Sequence, residues 1–258
     1  MRAQILAAIG FATFIAVPAS AVPLYSQDFE NPVGFVNDGG DINIFRSIND
    51  LYGNQPPSFV FAQSFTTETL EIGGTQAFGH GYSDPSGTGG RYVVAQLSDA
   101  QNDLLGLAFS VGTHKFLNLA LDISSIDLDR FGGPFVPAGG AAPVYRFSLF
   151  DNPTGAAGLG SGIALDSFDA TAPFNISKDS FLWSHVVGGL DASMSTNGNV
   201  ILQIDLLSGG YGAFDNIVVS ADDFQAGVPE PGTWAMFIGG FALVGGATRR
   251  RRATAYAA

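Results

Sequence analysis

Three histidines, His80, His114 and His185, are scattered along the chain without the paired spacing of a zinc site. There is no cysteine to act as a thiol nucleophile and no Gly-x-Ser-x-Gly elbow to present a serine. Asp127 and Asp129 stand two apart, which on a strand places both carboxylates on one face. Such carboxylates could form half of a glycoside-hydrolysing pair, or simply the wet face of a surface strand. The second reading is preferred, and with it a protein that is not an enzyme. Asn37-Asp38-Gly39-Gly40-Asp41 is an acidic turn that falls short of a full EF-hand loop. A sugar-binding site would need an aromatic platform. Trp183 is the candidate, with Tyr82, Tyr92 and Tyr211 behind it. Trp183 follows Phe181-Leu182, and a buried core aromatic is its expected role.

These residues must be held by short strands. The chain has 34 glycines, and turn signals punctuate β-branched and aromatic runs. Strands are expected at Ser58–Phe65, Arg91–Leu97, Leu104–Val111, Lys115–Leu121, Ser125–Asp129, Val144–Phe150, Phe181–Val187, Val200–Leu206 and Gly212–Ser220. Several alternate polar with apolar, as in Tyr145-Arg146-Phe147-Ser148-Leu149, which means one wet face and one dry face. No long apolar stripe of helical period occurs in the body. The expected fold is all-β, a two-sheet antiparallel sandwich or jelly roll. Glycine-rich stretches at 79–90, 132–143 and 151–162 read as flexible connections.

The net charge is −12. Four of the cations are Arg249 to Arg252, so the body alone is more acidic still. Nucleic acid is not expected as a partner, because phosphate binding needs a basic face. An acidic body can instead attract divalent cations. With no disulfides available, stability must come from the core or a metal.

The two ends have their own character. Arg2, an apolar run from Ile5 to Val17, and Ala19-Ser20-Ala21 read in order as a secretory signal peptide over residues 1–21. The body is expected at 22–227. From Thr233 to Thr248 there is again no charge, and Arg249 to Arg252 follow directly. As a helix this stretch is roughly 24 Å long. That is short for a bilayer core of about 30 Å, but arginine side chains can snorkel and extend the span. The arginines mark the cytoplasmic side, so the body lies outside the cytoplasm.

Pro229-Glu230-Pro231, Trp234-Ala235-Met236, the glycine-spaced apolar helix and Arg249-Arg250-Arg251-Arg252 together resemble the PEP-CTERM sorting signal of Gram-negative bacteria. The same tail is also known as an ice-binding protein C-terminal domain. The resemblance covers 228–252 and leaves 253–258 as a short tail. It implies recognition by a membrane protease of the exosortase type. That enzyme would cut near Pro229-Glu230-Pro231, after a transient stay in the inner membrane, and deliver the body to the cell surface or medium. Within the body, Asp28-Phe29-Glu30 and Asp215-Asn216-Ile217 resemble the opening and closing strands of galactose-binding-like jelly-roll modules. That resemblance implies a structural calcium, with Glu30 and Asp215 as ligands and Asp28 as a further one.

The sequence therefore reads as a secreted, sorted surface or matrix protein, structural or adhesive, associated with exopolysaccharide. A carbohydrate-binding module is the alternative. A hydrolase or an ice-binding protein stands behind both, since Thr66-Thr67-Glu68-Thr69 alone is no regular threonine ladder.

Overall fold

The computed structural model describes residues 21–37, 48–52, 55–56, 60–62, 67–74, 81–96, 104–126, 141–156, 162–175, 180–209 and 212–227. The expected signal peptide, the sorting tail, Asp127, Asp129, His80 and Tyr211 lie outside these residues, as does most of the acidic turn at 37–41.

Eleven strands and one helical turn are described: β1 (Val22–Gln27), α1 (Ile48–Leu51), β2 (Val60–Ala62), β3 (Thr67–Glu71), β4 (Tyr92–Gln96), β5 (Leu104–Ser110), β6 (Phe116–Ile126), β7 (Val144–Asp151), β8 (Ala164–Thr171), β9 (Phe181–Asp191), β10 (Asn199–Ser208) and β11 (Gly212–Asp222). They form two antiparallel sheets. The first runs β3-β4-β11-β6-β9, with β1 also paired to β11; the second runs β2-β5-β10-β7-β8. The all-β sandwich expected from sequence is the fold observed.

The period-2 pattern explains how the sheets meet. Leu117, Leu119, Leu121 and Ile123 of β6 are buried and face Tyr145, Phe147 and Leu149 of β7 and Val200, Leu202, Ile204 and Leu206 of β10 in one cluster. Phe214, fully buried in β11, joins the same cluster. Phe147 stacks on Phe168 of β8 at 4.9 Å between ring centroids.

A second, smaller cluster lies on the outer face of the first sheet. It holds Leu70, Tyr82, Val93, Ala95, Ile126, Phe181 and Ala213, with Ile72 and Trp183 packed against it. The segment 81–90 covers it. Asp84 staples this segment by accepting from Ser86 N and Oγ and, at 2.7 Å, from Gly89 N. These hydrogen bonds favour the carboxylate and hold Asp84 below its usual range, against its partial burial. Gly89 packs directly over the Trp183 ring, leaving no room for a side chain. The described part of this glycine-rich stretch is thus a fastened cover.

The chain leaves the sandwich through a clamp. Beyond β11, the Asn118 amide donates to Phe224 O at 2.9 Å and accepts from Ala226 N at 2.8 Å, as a neighbouring strand would. Gln225 Nε2 donates to Gly189 O at 2.7 Å. We expect Asn118→Ala to speed amide exchange at Phe224 to Ala226 while lowering global stability by only about 1 kcal/mol, the usual net worth of such a bond. Hydrogen-exchange mass spectrometry checks both. Protection at those amides equal to wild type would dismiss the clamp.

Candidate functional site

Among the described residues two places concentrate polar chemistry. The first lies where β1 ends beside the middle of β11. Phe29 adopts a left-handed backbone with φ of 51°, uncommon for a residue with a side chain. It sends its ring into the core, against Tyr52 at 5.1 Å and Phe214 at 5.9 Å. Fixing Phe29 inward leaves Asp28 and Glu30 on either side of it. Asn216 in β11 is the second such residue, with φ of 53°, and sits at a bulge where the β11–β6 register shifts between Asp215 and Val218.

Asp215 is 1% exposed. Its Oδ1 accepts from Asn216 N at 2.7 Å. Burial pushes its carboxyl up to about 9; the Asn216 N–H opposes this, and the charges of Glu30, Asp122 and Asp28 add to it. The structure therefore brings together the electrostatic influence of all three sequence-derived calcium candidates. They are not equivalent. The Glu30 carboxylate accepts from Arg91 N at 2.9 and 3.1 Å and approaches Tyr92 N at 3.4 Å. Gly90, with φ of 55°, gives it room: any side chain there would collide with Glu30. Asp28 is exposed, and its Oδ1 accepts from Glu30 N.

The donor chemistry at Asp215 and Glu30, hard oxygens in negative surroundings, suits calcium. Among the described residues no three His, Cys, Asp or Glu side chains converge as a ready-made metal cluster. A cation here would need backbone carbonyls to complete its shell.

Asp122, opposite Asp215 across the β6–β11 ladder, escaped the sequence reading. It accepts from Asn216 Nδ2 at 2.9 Å and lies 2.8 Å from His185 Nδ1. A single strand spans Phe116–Ile126 where two were expected, so Asp122 and Ser124 belong to the sheet's outer face. The expectation for Trp183 needs correction. It is half-buried and stacks on Phe181 at 5.2 Å and 7°, on the outer face and not between the sheets, because odd-numbered residues of β9 point away from the main core. Tyr82 is buried beside Phe181, and Tyr92 lies under the Arg91 guanidinium at 5.1 Å.

The second place is a cleft of about 490 Å³ at the end of the sandwich where the chain exits, between residues 112–115 and 192–198. Its floor is backbone. Gly198, with φ of 80°, packs against the Gly112 carbonyl so closely that no side chain fits, and Val111 N donates to Gly198 O at 2.8 Å. Asp151 fastens one wall, accepting from Ser195 Oγ at 2.9 Å and from Thr196 N and Oγ1 at 3.0 and 2.5 Å. The Thr196 hydroxyl is the main cause holding the Asp151 carboxyl below its usual range. Asn197 Nδ2 donates to Pro153 O, and Ala192 N donates to Lys115 O across the base. An apolar hollow of about 450 Å³, lined by Leu24, Pro56 and Phe109, opens at the same end.

Among the described residues no helix is long and apolar enough to cross a membrane. Solved structures similar to the body include the K1 cleaved adhesin domain of Lys-gingipain from Porphyromonas gingivalis W83. It is 14% identical, covers 77% of this chain and 98% of its own, and has a TM-score of 0.42. A cyclase from Fischerella sp. TAU is 17% identical over 80% of this chain and 98% of its own, with a TM-score of 0.42. The CBM22-1–GH10 modules of Clostridium thermocellum endo-1,4-beta-D-xylanase 10B, complexed with xylohexaose, are 10% identical over 78% of this chain and 28% of theirs, with a TM-score of 0.40. No curated protein sequence matches the chain. Residues 227–252 match the family model of the PEP-CTERM protein-sorting motif, within one residue of the boundary read from the sequence. That motif implies an exported protein, processed by an exosortase after a membrane-anchored intermediate. The chain is thus a two-sheet β-sandwich body that carries, at 227–252, a PEP-CTERM protein-sorting motif.

Proposed function

We propose that the sorted body works at the cell surface or in the extracellular matrix as a non-enzymatic structural or adhesive protein associated with exopolysaccharide. The observation that carries this reading is where the sorting motif begins. The last strand ends at Asp222, the clamp ends at Ala226 and the motif starts at residue 227. A cut near Pro229-Glu230-Pro231 therefore leaves every described strand and every described core residue in the delivered body. The test is retention: the processed chain should stay with the cells when exopolysaccharide is made and appear in the medium when its synthesis is deleted. Equal retention in both strains would reject the exopolysaccharide association.

The carbohydrate-binding reading has its own support in the polar cleft at the chain-exit end. Hydroxyls and a side-chain amide held on a fixed frame are the groups that orient a sugar. In either case Glu30 and Asp215, with Asp28 beside them, are the residues that would hold a structural calcium. When bound, the ion would offset their mutual repulsion and join the chain after β1 to β11.

A further inference from the structure

We infer that the cleft between residues 112–115 and 192–198 is a binding site for an acidic sugar, a hexuronate unit of a polysaccharide. This inference rests on the carbohydrate-binding reading above and names its site and ligand class. The first argument is charge. Arg91 is paired with Glu71 at 2.9 Å and Arg146 with Asp169 at 2.7 Å. Among the described residues Lys115 is the lysine or arginine with no ion pair, and it stands on the wall of this cleft. A polyanion is repelled by most of a body this acidic. It gains where a cation is free, and Lys115 is such a place.

The second argument is hydrogen bonding. Thr113, Ser193 and Asn197 line the cleft together with Lys115. Hydroxyls and an amide both donate and accept, as sugar hydroxyls require, and the ammonium supplies donors for a carboxylate. The third argument is rigidity. Asp151 holds Ser195 and Thr196, Asn197 holds Pro153 O, and paired glycines form the floor. Little ordering remains to be done on binding, so less of the contact energy is lost. The carboxylates around the cleft have contacts of their own: Asp151 accepts from Ser195 and Thr196, Asp191 accepts from Ser193 N at 2.8 Å, Asp222 accepts from Asp223 N at 2.6 Å, and Asp223 lies 3.5 Å from His114 Nδ1.

The test uses the full chain purified in detergent, titrated calorimetrically with an oligogalacturonate and, as the neutral control, with a maltooligosaccharide of equal length. The acidic oligomer should bind at least tenfold more tightly than the neutral one. Its affinity should fall at least tenfold in Lys115→Glu and in Thr113→Ala, recover in Lys115→Arg, and weaken as salt rises. Lys115 is exposed, so an unchanged melting midpoint should accompany the loss. Binding of the acidic oligomer that Lys115→Glu leaves intact would overturn the site while leaving the carbohydrate-binding reading in place. Equal affinity for the neutral oligomer would overturn the ligand class. Absence of binding to either glycan would remove the reading and the inference together.

Discussion

Replacing Pro229, Glu230 and Pro231 together with alanine should leave the full-length chain in the inner membrane, with little or no processed body at the surface. Each proline fixes its own backbone, removes an amide donor and biases the residue before it toward an extended conformation. Pro229-Glu230-Pro231 is therefore a sequence that would resist joining the helix expected over Thr233 to Thr248 and would stay open to a protease. Alanine is the strongest helix former and would let that expected helix extend back toward the clamp. Cell fractionation with an immunoblot for chain length gives the answer. A triple variant trimmed and delivered like wild type would show that these residues do not direct sorting. Arg249 to Arg252 act differently. Their replacement by serine should let the apolar segment slip through the bilayer, because the cytoplasmic charge barrier is gone. A reporter fused after Ala258 would then appear on the outer side.

The second large effect concerns Asp215. In chelator, the folded body keeps this carboxyl protonated up to about pH 9, whereas an ordinary aspartate ionises near 3.8. Below that lower value both states hold the proton. Between the two values the unfolded chain releases it and the folded chain does not, so stability falls as pH rises through this window. Asp215→Asn keeps the shape without the charge. In chelator at pH 8 it should therefore be more stable than wild type, by roughly 1–3 kcal/mol, the scale of an uncompensated buried polar group. Calcium should reverse the order. At a thousandfold excess over its dissociation constant a native-state ligand adds about 4 kcal/mol, which for a domain this size is on the order of 10 °C in midpoint. Wild type should show that gain, and Asp215→Asn should lose most of it. Thermal unfolding of both chains across pH 5–9, with calcium and with chelator, separates the outcomes. A wild-type midpoint indifferent to calcium rejects the metal. A flat pH dependence in chelator rejects the buried proton.

The sandwich was legible because its inner strands are short apolar runs set off by turn signals, with clear alternation in β7 and the second half of β11. The strands β4, β5, β7, β10 and β11 stand close to where their apolar runs put them. The strands that escaped have physical reasons. In β3 the residues Thr67, Glu68 and Thr69 are all buried, contrary to what polar side chains announce. Thr69 Oγ1 is satisfied inside by donating to the Tyr52 hydroxyl at 3.3 Å. The edge strand β8 carries Asp166 and Asp169, which depress strand propensity, and it is fixed by pairing with β7 and by the Arg146–Asp169 bridge. β1 starts at Val22, where the expected signal peptide ends, and is defined by the edge of β11 it occupies. Of the polar sites, Glu30 and Asp215 were legible through a resemblance, since 185 residues of chain separate them. Asp122 gave no signal, because its role comes from facing Asp215 across a ladder. Lys115 and Asn197 were hidden for the same reason: only the return of β9 toward the start of β6 sets residues 112–115 beside 192–198.

The placement of β11 has a mechanical consequence. A body attached through its trimmed C-terminus takes any pull from flow or a neighbouring cell first at the Asn118 clamp and then along β11. That strand is bonded on one edge to β6 from Gly212 to Asp222 and on the other to β1 and β4. A pull along such a strand loads these bonds in shear, many at once, and does not peel them one by one from an edge. Resistance to forced unfolding is a matter of unfolding rate, and a central last strand raises the barrier where the load enters. Single-molecule pulling from the C-terminal end should accordingly show one high-force rupture, with the clamp yielding first as a small early event.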